Sequence, residues 1–573
     1  MNIPRNKMLV WCNEGRDDES VPTIEVVLDY KTPTGQNERI CMLRKSDELF
    51  EQTKQRLGVK LNNLSNPKSR KSKKALPDDQ ILPSISALDK DGVSIVLESA
   101  INSDVFKNAK SITLEEDLFE VIQDAPYIEK LAINVVPMVG CPVMASCEWK
   151  AGCSNPQEVR FQWYVAPENQ SPIVTRDGEE LVVENGSLAH TGEIFSPLDK
   201  HVGMNLCLVA VVRFAGEWLA KTCNCKTPIQ RIQEDFLFKQ RQVDYCSQKL
   251  SGTKFRLVSY NVLADLYLNL KQEQEKLFFA YCPKEYQEPA YRYPIIMKEL
   301  NGYNADLMFL QEVDYRFSYR FLTKFLLSCG FSSTFRVKEK EVNEGLMIAF
   351  RSERLRMVDD SYSVRISDLL DENPENKDIV EYLTRHPDVG EIMTAKPNVF
   401  QVVYLKTSGD IERPILACNT HLAFDPNFEN VKLIQALLCG RYITRVKSKL
   451  DLSDMLVLYC GDLNSTEDSA VARLLQGGSI KSDDEVWGGE DGFRVEEKYN
   501  YSSVAGFPKY TNFTRGFHGC LDYIWNSGSL VCEQIVPMPE HDLVVKYEAI
   551  PSKIAPSDHL PIICDVDMKL PDV

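Results

Sequence analysis

Six short stretches set polar, chemistry-bearing residues at the ends of apolar runs. Asn261 follows LVSY, Glu312 follows LMFLQ, His421 follows LACNT, and Asp462 and Asn464 follow LVLYCG. Asp522 follows FHGCL, and Ser557, Asp558 and His559 precede LPIICDV. Asp, Glu and Asn without cysteine are hard oxygen donors. They suit Mg²⁺ or Mn²⁺, which one or two carboxylates hold together with substrate phosphate. Two histidines and further carboxylates add proton transfer and stabilisation of developing negative charge. Together these groups suit hydrolysis of a phosphodiester. Taken singly, each has an ordinary explanation: a strand-end Asp as a helix N-cap, Glu312 as a surface ion pair, His421 as a hydrogen-bonded core histidine, Asn261 as a turn residue. The ordered combination carries the reading.

Rigid strand ends position side chains more precisely than loops do, so the flanking runs matter as much as the polar residues. From about residue 250, strands such as FRLVSYNVL, ADLMFLQEV, EGLMIAF, VFQVVYL and DMLVLYCGDL alternate with helical segments such as YPIIMKELNGY and VKLIQALLCGRYITRVKSKL. Central strands that are nearly continuously apolar are expected where helices cover the sheets. The pattern predicts an α/β catalytic domain over residues 250–573.

Upstream the texture differs. Residues 1–65 read as a small α/β unit, with a hairpin around TPTGQN and a helix N-capped by Ser46. Residues 66–80, beginning NPKSRKSKK, read as a basic linker. Residues 81–245 read as a β-rich accessory region. Within it Cys147, Trp163 and Cys207 are spaced in a way similar to an immunoglobulin-like sandwich, with the thiols expected to be reduced.

The chain has 573 residues, enough for several domains, and its composition is that of an ordinary globular protein: 43% hydrophobic and 26% charged. No apolar run is long enough to span a bilayer. The net charge of -17 argues against holding nucleic acid by bulk attraction, so local cations or metal must supply the positive charge toward any such substrate. The 17 cysteines sit mostly among apolar residues, as small hydrophobes do in a reducing compartment. Cys223 and Cys225 lack a matching pair at zinc spacing.

The motifs SYNVLAD, LQEVD, NTHL, GDLNS, LDYIW and PSDHLPI occur in the order of the endonuclease/exonuclease/phosphatase superfamily, which residues 250 to 570 resemble. SYNVLAD with YTNFTRGFHGCLDYIW is similar to the nocturnin and carbon-catabolite-repressor type deadenylases, and most of all to the 2′-phosphodiesterase branch. The resemblance implies a four-layered α/β sandwich around two sheets and a Mg²⁺-dependent hydrolase, with Mn²⁺ as the alternative metal. It implies removal of 5′-AMP from 2′-5′ oligoadenylate and from poly(A) ends. The alternatives are a general mRNA deadenylase without 2′-5′ activity and an inactive RNA- or protein-binding relative. Glu312 and Asn261 inherit metal binding, and Asp462 and Asn464 inherit positioning of the attacking water and contact with metal or phosphate. His421 and His559 inherit hydrogen bonds to the scissile phosphate, with Asp522 or Asp558 orienting a histidine. Phe517 is placed to stack an adenine, with Arg515 nearby. RNA or oligoadenylate is the expected substrate, and no obligate protein partner is expected. The resemblance carries a mitochondrial matrix location, with cytoplasm as the alternative. The amino terminus, with Arg5 and Lys7 followed by Glu14 and Asp17, is a weak transit peptide.

Overall fold

The computed structural model describes residues 6–13, 21–32, 35, 37–65, 83–168, 170–177, 180–214, 216–268, 278–338, 342–370, 374–395, 398–409, 412–452, 455–489 and 491–568. They form two compact units, residues 1–137 with 143–230, and residues 138–142 with 231–573.

The first unit opens with a six-stranded sheet in the order Asn37–Lys45, Thr23–Lys31, Lys7–Asn13, Asp117–Gln123, Ala109–Leu114, Ile85–Asp89. Helices Phe50–Ser65 and Asn102–Asn108 bury Phe50, Leu57, Val105 and Phe106 against Met8, Val10, Val26 and Leu28. Strands on both sides of residues 66–80 therefore share one core, and the division between a unit at 1–65 and a β-rich region from 81 is not the one the sheet draws. Pairing of Lys7–Asn13 with Asp117–Gln123 is a long-range contact that local pattern cannot show. The basic linker, residues 66–80, lies outside the described residues. The first helix begins at Phe50 rather than beside Ser46, whose backbone is instead held by Pro22 and Ser103.

The rest of this unit is mostly strands in several sheets, consistent with a sandwich-type accessory region. The largest runs Ser187–Thr191, Glu158–Ala166, Asn205–Phe214, Glu217–Asn224. Trp163 is buried at its centre, stacks on Phe195 and donates its indole N–H to the Gly192 carbonyl. Cys207 is a buried free thiol.

The second unit is built on two sheets. The first has the order Phe331–Val337, Glu344–Arg351, Leu307–Asp314, Lys254–Asn261, Ile562–Asp567, Val531–Ile535. The second runs Leu355–Asp359, Val399–Thr407, Pro414–His421, Leu456–Asp462, Asp522–Ser527, Ser502–Ser503, with Val364–Arg365 paired to Val399–Thr407. Strict alternation divides each strand between two cores. Leu257, Phe309, Ile348, Val403, Ala417, Leu458 and Ile524 pack between the sheets. Their neighbours Val402, Leu416, Val457 and Tyr459 pack outward against Leu433, Leu437 and Ile443 of helix Glu429–Leu450. Each buried aliphatic side chain contributes roughly 1.5–3 kcal/mol, so a strand apolar on both faces is strongly fixed in register.

The outer face of the first sheet meets helix Pro289–Gly302. Glu299 on that helix accepts from the hydroxyls of Tyr260 at 3.1 Å and Tyr303 at 2.6 Å. The Arg256 guanidinium donates to the Tyr303 carbonyl and pairs with Asp565. Helix, sheet, sheet and helix make the four layers. Burial pushes the Glu299 carboxyl up to about 7, against two hydroxyl donors and Arg241. A pKa raised on folding contributes stability that is complete below the ordinary glutamate range and lost as pH rises through 7. The melting temperature of the wild type is therefore expected to fall relative to Glu299→Gln between pH 5 and 8. The full effect is roughly 3 kcal/mol. Parallel melting profiles for the two proteins across that range would remove Glu299 from the account.

Candidate active site

Four of the strand-end residues reach one edge of the two sheets by simple alternation. Asn261, His421, Asp462 and Asp522 have the same parity as Leu257, Ala417, Leu458 and Ile524, which face the other sheet. His421, Asp462 and Asp522 stand opposite one another across adjacent strands. Gly461 makes this pairing possible: its φ is +137°, and a Cβ there would lie 1.9 Å from the Thr420 carbonyl oxygen.

Glu312 arrives differently. Leu307, Phe309 and Gln311 face the second sheet, so alternation points Glu312 away from it. A bulge between Leu310 and Val313 and a left-handed φ of +53° at Glu312 turn its side chain back. A non-glycine residue in that region costs roughly 1–3 kcal/mol and is held only by surrounding structure. Glu312 Oε1 accepts from Asn261 Nδ2 at 2.8 Å and Oε2 from the Ala264 backbone N–H at 2.9 Å. Arg292, fully buried, binds the Val262 and Leu263 carbonyls and Asp265, bracing the turn that supplies Ala264.

Asn261 Nδ2 also donates to Asp462 Oδ2 at 3.0 Å, linking the two sheets through one amide. Asp462 Oδ1 accepts from the Asn464 backbone N–H at 2.9 Å, with Asn464 at a left-handed φ of +49°. The Asn464 side chain donates to the Leu422 carbonyl, and its own carbonyl is held by Lys432. His559 Nδ1 lies 2.7 Å from Asp522 Oδ2, and His559 Nε2 lies 3.5 Å from Asp462 Oδ2. Of the two aspartates expected to orient a histidine, Asp522 does so. Asp558 instead accepts from Asn512 Nδ2 at 3.1 Å. Ser557 Oγ ties this loop to the Asn261 carbonyl.

The two histidines differ in charge. Burial disfavours a charged His559, but Asp522, Asp462 and Asp558 outweigh it and raise its pKa well above the usual histidine range. Burial, Lys338 and His559 push His421 well below that range, so it is neutral. Lys338 Nζ lies 3.2 Å from His421 Nδ1 and can only donate, so that nitrogen is the acceptor and Nε2 carries the proton. His421 Nε2 stands 3.7 Å from Asp462 Oδ2.

Lys338 and its partner Glu344, 2.8 Å away, were not legible in the sequence. Lys338 opens the run KEKEV, which reads as a solvated stretch, yet it is buried. Glu344 also accepts from the Tyr267 hydroxyl. Phe517, 42% exposed, lies in the turn between Asn512–Phe513 and His518–Gly519, the hairpin that also contacts His559. Arg515 is engaged by Glu548 and lies over the Tyr281 ring.

Glu312, Glu344, Asp462, Asp522 and Asp558 crowd a space in which Lys338 and charged His559 are the facing cations, with Arg292 a tier behind. Burial, Glu344 and Asp558 push Glu312 up to about 8, and burial and Asp522 push Asp462 up to about 6. Among the described residues, one buried oxygen each of Asp522, Asp558 and Glu344 has no hydrogen-bond partner. The nearest side-chain atoms of Asp462, Asp522 and His559 all lie within 4.8 Å of one another, and the two carboxylates among them offer hard ligand atoms. Surplus negative charge, orphaned oxygens and a donor set without thiolate fit a hard divalent cation.

Residues 258–559 match the family model of the Endonuclease/Exonuclease/phosphatase family. The chain belongs to this family. The 2′,5′-phosphodiesterase 12 of Rattus norvegicus is 29% identical over 494 residues, covering 83% of this chain and 79% of that protein. The CCR4-Not complex 3′-5′-exoribonuclease subunit Ccr4 of Schizosaccharomyces pombe is 27% identical over 366 residues, 55% of this chain and 49% of that one. A crystal structure of ANGEL2, a 2′,3′-cyclic phosphatase, aligns at 21% identity and a TM-score of 0.46, covering 55% of this chain and 95% of that chain. Among the described residues, no helix of this family member is long and apolar enough to cross a membrane.

Proposed function

We propose that the chain is a Mg²⁺-dependent phosphodiesterase that releases 5′-AMP from 2′-5′ oligoadenylate and from the 3′ ends of poly(A). The observation that carries this reading is the meeting of Glu312 and Asn261 with Asp462, Asp522 and His559 at one sheet edge. Likeness to a 2′,5′-phosphodiesterase across most of the chain supports the linkage, and likeness to an exoribonuclease subunit supports the second substrate.

Glu312 and Asn261 would hold the cation, with Asp462 and Asn464 facing it. When bound, Mg²⁺, or Mn²⁺ in its place, supplies charge neutralisation at the scissile phosphate and acidifies a water. Asp462 accepts the proton of the attacking water, and Asn464 shapes the turn that aims it. Charged His559, fixed by Asp522 through Nδ1, donates from Nε2 to a non-bridging phosphate oxygen. Neutral His421, fixed by Lys338, donates from its own Nε2 to the same phosphate. Water adds to phosphorus as the bond to the upstream ribose oxygen breaks, and that oxygen takes up a proton from solvent, leaving the ribose with a free hydroxyl. Phe517 stacks the terminal adenine from the hairpin beside His559. The mitochondrial matrix is the compartment that goes with this reading, and import into isolated mitochondria tests it.

The deciding experiment measures Mg²⁺-dependent release of 5′-AMP from matched 2′-5′ and 3′-5′ adenylate trimers, with Asp462→Ala as control. Cleavage of both, lost in the control, is expected. Cleavage of the 3′-5′ trimer alone makes the chain a general deadenylase, and cleavage of neither sinks the reading.

A further inference from the structure

The helical segment that follows Glu312 has an exposed face that carries aromatic and basic side chains. Tyr315–Phe317, a single π-helical turn at Ser318–Leu322, and Thr323–Ser328 form one continuous stretch. Phe317, Phe321, Leu322, Phe325 and Leu326 are buried, and Phe317 stacks on Tyr293 with ring centroids 4.0 Å apart. That anchoring leaves Tyr315 and Arg316, then Tyr319 and Arg320, then Thr323 and Lys324 on the outside at a spacing of four. Tyr315 is 48% exposed and Tyr319 72% exposed, yet their rings are nearly parallel, at 2°, with centroids 6.3 Å apart.

We propose that this face is a stacking platform for single-stranded RNA, engaging the nucleotides upstream of the scissile phosphate. The inference rests on the phosphodiesterase reading above and adds to it a binding surface outside the catalytic cluster. Aromatic faces accept any base, and flanking guanidinium and ammonium groups track the backbone phosphates. In a chain of net charge -17, Arg316 beside the two rings adds local positive charge toward a polyanionic substrate, with Arg320 and Lys324, each of which makes a further interaction, on the same face.

The platform is continuous with the catalytic site. Tyr315 lies three residues past Glu312, a separation of at most about 11 Å along the chain. Its backbone N–H donates to the Asn343 carbonyl, next to Glu344, and its ring packs against Phe335, three residues before Lys338. Tyr319 stands a further turn away, roughly 6 Å along the axis. Lone π-turns occur frequently at functional sites, and this one lies between the catalytic strand and the outer part of the stripe.

The test uses the full-length chain and an octa-adenylate carrying a 5′ fluorophore. Binding is read by anisotropy in EDTA, and cleavage of the octamer and of a dimer is compared with Mg²⁺ present. The variant carrying Tyr315→Ala and Tyr319→Ala is expected to bind the octamer roughly tenfold or more weakly. It is also expected to lose the octamer's advantage over the dimer in kcat/KM. Phenylalanine at both positions is expected to restore both, because stacking needs the ring and not the hydroxyl. Arg316→Gln with Arg320→Gln is expected to lower the slope of log Kd against log salt by about 0.7 per lost phosphate contact. Octamer binding and an octamer-to-dimer ratio that are unchanged in the alanine variant, with an unchanged melting temperature, would overturn the proposal. That outcome would assign the face to a protein partner. If the wild type cleaves neither substrate, the phosphodiesterase reading fails, and the anisotropy comparison still decides the platform.

Discussion

Glu312→Ala is expected to lower Mg²⁺-dependent release of 5′-AMP by about a thousandfold or more on the proposed function, in which a lost metal contact removes several kcal/mol of transition-state stabilisation. The side chain is the join between the two sheets' contributions. Through Asn261 it shares an amide with Asp462, and through Ala264 it is tied to the turn that Arg292 braces. Glu312→Gln is expected to fare little better. Both carboxylate oxygens accept from N–H groups, so an amide must turn its NH₂ toward one of those donors. Measuring 5′-AMP release alongside melting temperature separates catalysis from folding. Unchanged cleavage in either variant would remove Glu312 from the mechanism.

Asp522→Asn is expected to lower kcat by about a hundred- to thousandfold with little change in KM, the range for removing one positioned hydrogen-bond donor to the developing negative charge. The carboxylate lies 2.7 Å from His559 Nδ1 and is the first of the three charges that keep this buried imidazole protonated. An asparagine keeps an acceptor for Nδ1 but not the charge, so the protonated imidazole is disfavoured relative to the wild type. Asp558→Asn is the matched comparison. Asp558 bonds Asn512 and acts on His559 only through space, so its loss is expected to be much smaller. Equal losses in the two variants would contradict the assignment of Asp522 as the orienting residue.

These two residues mark different degrees of legibility. Asp522 is legible as a polar residue opening an apolar strand, but the sequence offers it and Asp558 alike as the residue that orients a histidine. Register decided it: Asp522 pairs directly across from Asp462, while Asp558 is drawn aside by the Asn512 hairpin. Arg515, considered near the adenine, is instead taken up by Glu548 and Tyr281, partners far along the chain.

What the sequence determined by itself was the order of the site and most of its aim. Period-2 alternation carries Asn261, His421, Asp462 and Asp522 to the inner face because each shares parity with core residues of its own strand, and that is a local property. Composition likewise argues against bulk attraction of nucleic acid and directs attention to local cations. Only the tertiary structure decided the remainder. Glu312 breaks its strand's parity through a bulge and a left-handed backbone, which neighbouring strands over-determine and no local pattern announces. Lys338 looks like solvated charge until the fold buries it between Glu344 and His421. The amino-terminal sheet closes by pairing Lys7–Asn13 with Asp117–Gln123 across an intervening basic segment. In each case the deciding contacts lie far apart in sequence, where periodicity and spacing carry no information.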